Sequence, residues 1–501
     1  MDGRAAGASR LNQVGNQLMR VLAFAIVLAL AGCKLGPSSP KLSAIALPEQ
    51  FSRPNPISTA YAKDPGGQWW RSFRDPALDA LVSAAAAGNL DIAQAVARIA
   101  AADAGITVAG AGGFPTLTLG ASHSATRETG TLKKVGGNVH TSALGITSGW
   151  LIDFFGEVRS QTDAARGQFL AASAARDVAE LAAISAVANT YIDARYFQER
   201  ARIVASSLHS RKRTLALTMA LKSEGVASGL DVSRADESVQ QVAAELPLQE
   251  ANIIKSLNRI STLIGQPAAS LLPSMQAKIA QPLPVFTAGS GVPADLMRNR
   301  PDIRRAEHEF AASMADIGYA WSQLFPSITL SGSITPSYIS SGPKSGNLTT
   351  WSFGPTLRLP IFDGGRLRAN VSVAVGRAEE KHAAWRASVL SAVEEVENAL
   401  TTYSQERVAL EAIQRRVAAS EKAAALSRTG YEAGVLSLLE LLESQRAIYE
   451  SQLSLAQSRR SLAQQYVALN IAVGRGLRGP GSGEGAATMA VVQSEGAKRR
   501  P

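Results

Sequence analysis

The chain has 501 residues, 46% of them hydrophobic, so length and composition place no obstacle before a sizeable buried core. Its formal net charge of +10 is diffuse, and no basic run is interleaved with aromatics, which excludes nucleic acid as the partner. A single cysteine, Cys33, excludes any internal disulfide.

In residues 1–32, Arg4, Arg10 and Arg20 precede an apolar run over 21–31 that is long enough for a signal peptide and too short to span a bilayer. The run ends in Leu30-Ala-Gly-Cys33, small residues before the sole thiol, which is the pattern of a bacterial lipoprotein signal. Cys33 is therefore the expected lipidation site. Each buried CH₂ of an acyl chain contributes about 0.8 kcal/mol, so two or three chains hold such an N-terminus to a membrane. Lys34 after the cysteine fits export to the outer membrane. Removal of the signal takes away three Arg and Asp2, leaving 48 basic and 40 acidic residues and a net charge of about +8.

Beyond residue 88 the sequence is written twice. Residues 89–106 (NLDIAQAVARIAAADAGI) align with 300–317 (RPDIRRAEHEFAASMADI) at an offset of 211, and the same offset carries FPTLTLGAS at 114–122 onto FPSITLSGS at 325–333. After a two-residue adjustment, an offset of 209 pairs Gly156 with Gly365, Gly167 with Gly376, Gly225 with Gly434, Ser228 with Ser437 and Gly265 with Gly474. This period is far longer than a solenoid repeat and marks a duplicated half-protein. The organisation expected is a signal over 1–32, an anchored N-terminal segment over 33–88, a first repeat over 89–265, a connector over 266–299, a second repeat over 300–474 and a disordered Gly/Ser/Ala-rich tail over 475–501.

Each repeat runs from an Ala-rich helix through two strands into two long helices. Strands are expected near 115–122, 142–154, 326–335 and 351–359. Leu117, Leu119 and Ala121 alternate with Thr116, Thr118 and Gly120, and Trp351, Phe353 and Leu357 alternate with Ser352, Gly354 and Thr356. Strands of about ten residues, apolar on one face and polar on the other, suit an outer-membrane barrel with Trp150 and Trp351 as candidate interface anchors. They suit a half-buried sheet in a soluble domain equally well.

The helices decide between these. Residues 157–222 and 366–432 contain no proline, and at 1.5 Å per residue each is a rod of roughly 100 Å, too long for a globular core. Gly225 and Gly434 mark turns, followed by returning helices over 231–264, with a kink expected at Pro247, and over 440–473. Ser228 with Asp231, and Ser437 with Glu440, have capping-box spacing. The apolar positions recur at heptad-like spacing, as in a coiled-coil sheath. Four membrane strands cannot close a barrel, because unpaired amides in lipid cost several kcal/mol each. Two copies would give eight strands with a filled interior, three would give twelve with a lumen, and a duct requires the larger number.

Leu30-Ala-Gly-Cys33, WWRSFRDPALDALV at 69–82, RPDIRRAE at 300–307, the two FPxxTL strands, DFFGEVR at 153–159, FDGGRLR at 362–368 and the paired tips EGVASGLDV and EAGVLSLLE span nearly the whole mature chain. In that order they resemble the outer membrane factor family of TolC-like efflux ducts, in its lipoprotein branch. The resemblance implies a mainly α fold with membrane β: a homotrimer with a twelve-stranded β-barrel, four strands per chain, continuous with a periplasmic α-helical barrel. It implies an outer-membrane exit duct that docks a periplasmic adaptor and an inner-membrane pump, or the related duct of a type I secretion system. It also aligns Glu440 and Glu443 with the family's acidic constriction rings, and Tyr431 and Asp231 with its gating tyrosine and first-repeat aspartate, while Leu436 stands where some members have an arginine.

Two readings of other classes compete. For an enzyme, His123, His140, His209, His308 and His382 lack metal-ligand spacing, and no HExxH, GxSxG or GxxxxGK occurs. The glycines at 110–113 precede a strand instead of opening a helix, unlike a phosphate loop. No catalysis, metal or cofactor is expected. A periplasmic adaptor lipoprotein would share the anchor and helical hairpins, but usually has one hairpin flanked by lipoyl-like and barrel segments. Pro301 and Asp302 read as a helix start, with proline in the first turn and a carboxylate on the dipole.

Overall fold

The computed structural model describes residues 67–127, 138–272, 280–284, 300–341 and 344–477. The expected signal peptide, Cys33 and most of the expected tail lie outside the described residues. A short 3₁₀ turn, Trp69–Phe73, is followed by α1 (Pro76–Gly88), α2 (Leu90–Ala111), β1 (Thr116–Arg127), β2 (Asn138–Ile152), α3 (Glu157–Ser223), α4 (Gly229–Ala243) and α5 (Leu246–Leu263). The second repeat supplies α6 (Pro301–Ser322), β3 (Ser327–Ser341), β4 (Lys344–Arg358), α7 (Arg366–Glu432) and α8 (Leu438–Ala472).

The long helices match the sequence expectation: α3 and α7 are each 67 residues without a break. The first return helix does not. Pro247 has no N–H for the carbonyl of residue 243 and its ring crowds that carbonyl, so the helix ends at Ala243 and restarts at Leu246. In the second repeat the aligned residue is Ala456, and α8 passes through it unbroken. The expected kink is thus an interruption at Ala244 and Glu245, which keep right-handed helical dihedrals while the hydrogen bonding shifts to i→i−3 just before the proline.

The chain divides into two compact units. One comprises, among the described residues, Ala101–Phe169 and His308–Ala383. Its strands form one antiparallel sheet in the order β1-β2-β3-β4. Thr116 pairs with Gly149 in the first hairpin and Ser327 with Arg358 in the second. Those residues are related by offsets of 211 and 209, so the duplication survives in the backbone register. The strands extend beyond the expected limits, to Arg127 in β1 and Ser341 in β3, because ladder hydrogen bonds are made by backbone and continue where apolar alternation stops.

That register collects Leu117, Leu119, Leu144, Ile146, Trp150, Ile328, Leu330, Ile334, Trp351 and Phe353 on one face. Nothing among the described residues covers this face: Leu117 is 75% exposed, Trp351 76% and Phe353 73%. A half-buried soluble sheet would hide its apolar face, whereas a bare one of this size marks a non-aqueous neighbour. From Ile152 to Leu144, β2 covers about 27 Å of strand, or roughly 20 Å of height at a tilt of ~40°, close to the hydrophobic height of an outer-membrane barrel. Above it the same face turns polar at His123, Ser142 and His140, whose imidazoles stack 6.0 Å apart.

The other unit holds residues 67–100, 170–307 and 384–477 among those described. Its main core gathers Trp69, Trp70 and Phe73 with Leu78, Tyr191, Tyr403 and Tyr466. The Trp69 and Phe73 rings meet Tyr466 edge-on at 6.4 and 5.6 Å. Each such aromatic stabilises by about 1.5–3 kcal/mol through burial. Asp75 caps α1 by accepting the Ala77 N–H at 3.0 Å and also accepts the Tyr191 hydroxyl, so this buried carboxylate is fully engaged.

The return helices end alike. In the first repeat the Gly265 N–H donates to the Thr262 carbonyl and the Gln266 N–H to that of Ser261; in the second, Gly474 donates to Ile471 and Arg475 to Asn470. This glycine-centred arrangement leaves one more terminal carbonyl needing a donor. Asn89 Nδ2 donates to the Leu263 carbonyl at 2.8 Å, and Arg300 Nη1 donates to that of Ala472 at 2.5 Å. Asn89 and Arg300 are aligned residues with different side chains. The expectation that the segment at 300 merely starts a helix is therefore too narrow, since Arg300 also ties Asp302 at 2.6 Å and Glu395 at 2.7 Å.

Candidate functional site

Two places in the chain have the chemistry of a passage for solutes. The first is the sheet face opposite the apolar one. Thr116, Thr118, Ser122, Thr329, Ser333 and Ser352 lie on it, with Ser333 and Ser352 joined across strands at 2.9 Å. The four strands contain no acidic residue, and this face carries only Lys344 and Arg358 as charges. These hydroxyls form a polar, nearly neutral wall. Any cation preference must then come from elsewhere.

The second place is the pair of hairpin tips. At the end of α3 the Gly225 N–H donates to the Lys222 carbonyl and the Val226 N–H to that of Leu221; at the end of α7, Gly434 donates to Tyr431 and Val435 to Gly430. Gly225 and Gly434 stand at φ +81° and +70°, where a side chain would be strained, so glycine is required to reverse the chain here. Ser228 and Ser437 then cap α4 and α8. Both capping boxes are complete, each serine accepting from the third residue on and each carboxylate accepting from the serine backbone.

Asp231 accepts the Ser228 hydroxyl at 2.7 Å and the Ser228 N–H at 3.0 Å, and these bonds hold its carboxyl below the usual range. The Ser437 N–H at 2.7 Å, followed by its hydroxyl at 2.9 Å, does the same for the exposed Glu440. Glu443 lies three residues further on α8 and is also exposed, while Leu438 and Leu441 are buried on the opposite side. Glu440 and Glu443 therefore present an acidic strip.

Tyr431 is 8% exposed and packs with Ala235, Leu438 and Leu441. Its hydroxyl lies 3.1 Å from Thr218 Oγ1, a polar contact that joins the second hairpin to the first, while Asp231 is engaged by its own cap. The structure thus places Glu440 and Glu443 on one exposed strip, and the Tyr431 hydroxyl meets Thr218 while the Asp231 carboxylate is held by Ser228.

The sequence reading missed a series of polar contacts between the two hairpins. Gln445 donates to Thr214 at 2.8 Å, Tyr449 to Glu245 at 2.8 Å, and Arg460 and Gln464 to Asp193 at 2.6 and 2.8 Å. Arg211, buried beside them, donates to Ser238 at 2.8 Å. A polar residue at a heptad position is the one signal that could have exposed them, and the sequence offers no way to choose its partner. Among the described residues no group of His, Cys, Asp or Glu side chains could hold a metal.

The family described as outer membrane efflux protein matches residues 81–266 and 292–475. Nodulation protein T of Rhizobium leguminosarum bv. trifolii is 41% identical over 452 residues, covering 90% of this chain and 96% of that protein. The pyoverdine export outer membrane protein OpmQ of Pseudomonas aeruginosa is 31% identical over 416 residues, covering 82% and 87%. Among solved structures, the outer-membrane channel OprN superposes with a TM-score of 0.75 at 31% identity, over 88% of this chain and 99% of that one. The open-state MtrE outer membrane channel of Neisseria gonorrhoeae gives 0.75 at 28% identity, over 89% and 99%.

Proposed function

The chain belongs to the outer membrane efflux protein family, and from that premise we propose that it works as a homotrimeric duct, three sheets closing one twelve-stranded barrel and six hairpins forming a periplasmic tunnel. The observation that carries the reading is the sheet itself: among the described residues it has four strands, β1 and β4 are its edges, and its apolar face is bare. An open edge in lipid leaves backbone amides unpaired, and a second and third copy remove that cost.

In this reading the duct is passive, performs no catalysis and is loaded by an inner-membrane pump through a periplasmic adaptor that meets the hairpin tips. OpmQ is named for pyoverdine export and related proteins for cation, solvent and toluene efflux. Those differences among similar ducts support selection of cargo at the pump. Glu440 and Glu443, with Asp231 nearby in the other hairpin, form the aperture: three copies place six α8 carboxylates around an axis, which attracts cations and repels itself toward opening. Tyr431 holds the two tips together within each copy. Cys33 carries the lipid.

Purified protein reconstituted in planar bilayers is expected to conduct, and to run as a trimer on native gels. Deletion of the gene is expected to raise retention of an exported compound. A monomer without conductance would end the proposal.

A further inference from the structure

The apolar face of the sheet ends in different chemistry at its two ends. At the end that joins α2 and α3 it is apolar to the last rung, with Ile152 against Ile328 and Ile328 against Leu357. At the far end it changes within one step. Ala121 faces Leu144, and the next pairs on this face are His123 with Ser142, Ala125 with His140 and Arg127 with Asn138. Two residues of strand cover about 7 Å, so His123 stands that far beyond the last apolar rung of the first hairpin. The 209 offset makes Trp351 the counterpart of Ser142, and tryptophan on the outer face of a barrel marks the boundary between hydrocarbon and headgroups.

The His123 and His140 rings stack 6.0 Å apart with an interplanar angle of 23°, and both residues are exposed. Ser142 Oγ lies 2.9 Å from His123 Nδ1. With that hydroxyl donating, the ring proton of a neutral His123 sits on Nε2, where it can be given to an anionic oxygen. Arg127, exposed on the same face, adds a guanidinium. The four strands contain no acidic residue, so no carboxylate on the sheet competes for these donors. In the second repeat the residues aligned with His123 and His140 are Ile334 and Thr349. A strand in this position does not itself call for an imidazole.

We infer that His123, His140 and Arg127 form an outward-facing site for the phosphate of an anionic lipid headgroup, with Ser142 orienting the His123 ring. The inference rests on the barrel proposed above, which turns this face to lipid, and deepens it by naming a class of lipid that the barrel holds. The occupant is an amphiphile because the donors are continuous with bare apolar surface: Leu119, Leu144 and Ile146, directly below them, are 66%, 51% and 41% exposed. A phosphate held by guanidinium and imidazole N–H groups therefore leaves its acyl chains lying on these side chains. A phosphocholine headgroup brings its own cation to a site that already has Arg127, so the site selects by charge.

The test uses the full-length protein, solubilised as its native trimer and offered equimolar dioleoylphosphatidic acid and dioleoylphosphatidylcholine, with retained lipids counted by native mass spectrometry. The parent is expected to retain phosphatidic acid preferentially. The triple variant Arg127→Gln, His123→Gln, His140→Gln changes only exposed side chains, and is expected to remain a trimer while losing about tenfold of that preference. The histidine pair alone, replaced by Gln, is expected to give part of this loss, and a full loss from Arg127→Gln by itself would overturn the role of the imidazoles. A conducting parent trimer without the preference, or a triple variant that keeps it, would overturn the site and leave the duct standing. Absence of any trimer in the parent would overturn the reading beneath it. Displacement of the phosphatidic acid by millimolar inorganic phosphate would mark a site for free anions and overturn the lipid.

Discussion

Arg300→Met removes a charge from a buried position while keeping a side chain of similar length beside Gly474. Arg300 has 7% of its side chain exposed, against 39% for Asp302 and 53% for Glu395. On its loss the two carboxylates regain water, so each forfeits only the ~0–1 kcal/mol of a surface pair. The Ala472 carbonyl cannot, since it is buried at the end of α8 with the neighbouring carbonyls already engaged by Gly474 and Arg475. Stranding it costs about 1–3 kcal/mol. The sum is a loss of about 1–5 kcal/mol, or a roughly 5- to 5,000-fold shorter half-life in denaturant if the contact breaks before the unfolding barrier. Loss of helical circular dichroism from detergent-solubilised protein at fixed urea measures it. Asn89→Ala, which strands the Leu263 carbonyl and also removes a helix cap worth about 1 kcal/mol, is expected to fall in the same range. A half-life for Arg300→Met within about twofold of the parent would mean that the α8 terminus is satisfied some other way.

Replacing Glu440 and Glu443 together by Gln keeps the hydrogen-bonding shape of the cap and removes two charges per copy; cation selectivity and periplasmic-side block by multivalent cations are both expected to disappear in bilayer recordings. Because Ser437 holds the Glu440 carboxyl below its usual range, the carboxylate's contribution is present above the ordinary pKa and is lost only as pH falls through the depressed one, so block in the parent should persist below the pH at which a free glutamate would protonate. Tyr431→Phe removes the bond to Thr218 and should weaken the tip by about 1 kcal/mol, read as faster hydrogen exchange in residues 215–235 with the barrel unchanged. Cys33→Ser is expected to leave an unlipidated precursor whose signal is uncleaved at this position, and normal acylation in the variant would refute the assignment.

How much of this was legible in the sequence depended on which interactions are local. The 67-residue helices, the glycine reversals and the serine caps are set by residues within a few positions of one another, and each stands where the sequence placed it. Strand faces were legible because alternation is local; strand ends were not, since Ser122 to Arg127 are held by a partner strand and carry no apolar mark. The kink before Pro247 was legible because proline chemistry is local and names the place. The hairpin contacts were invisible for the opposite reason. Thr218 with Tyr431, and Asp193 with Arg460, are more than two hundred residues apart, and a single sequence does not say which polar residue faces which.

Duplication adds a kind of legibility that propensity does not. Aligned positions with unlike environments locate what the chain alone cannot satisfy. Where Asn89 and Arg300 differ, both answer one demand, a donor for a stranded helix carbonyl, and the difference is one of means. Where Gly167 is crowded by Ala312, a Cβ on the aligned Gly376 would meet no atom within 4 Å among the described residues, so the same residue stands in unlike surroundings. The sheet repeats the pattern, since β2 and β3 each have two partners while β1 and β4 have one. The trimer proposed above would give both of these edges a partner.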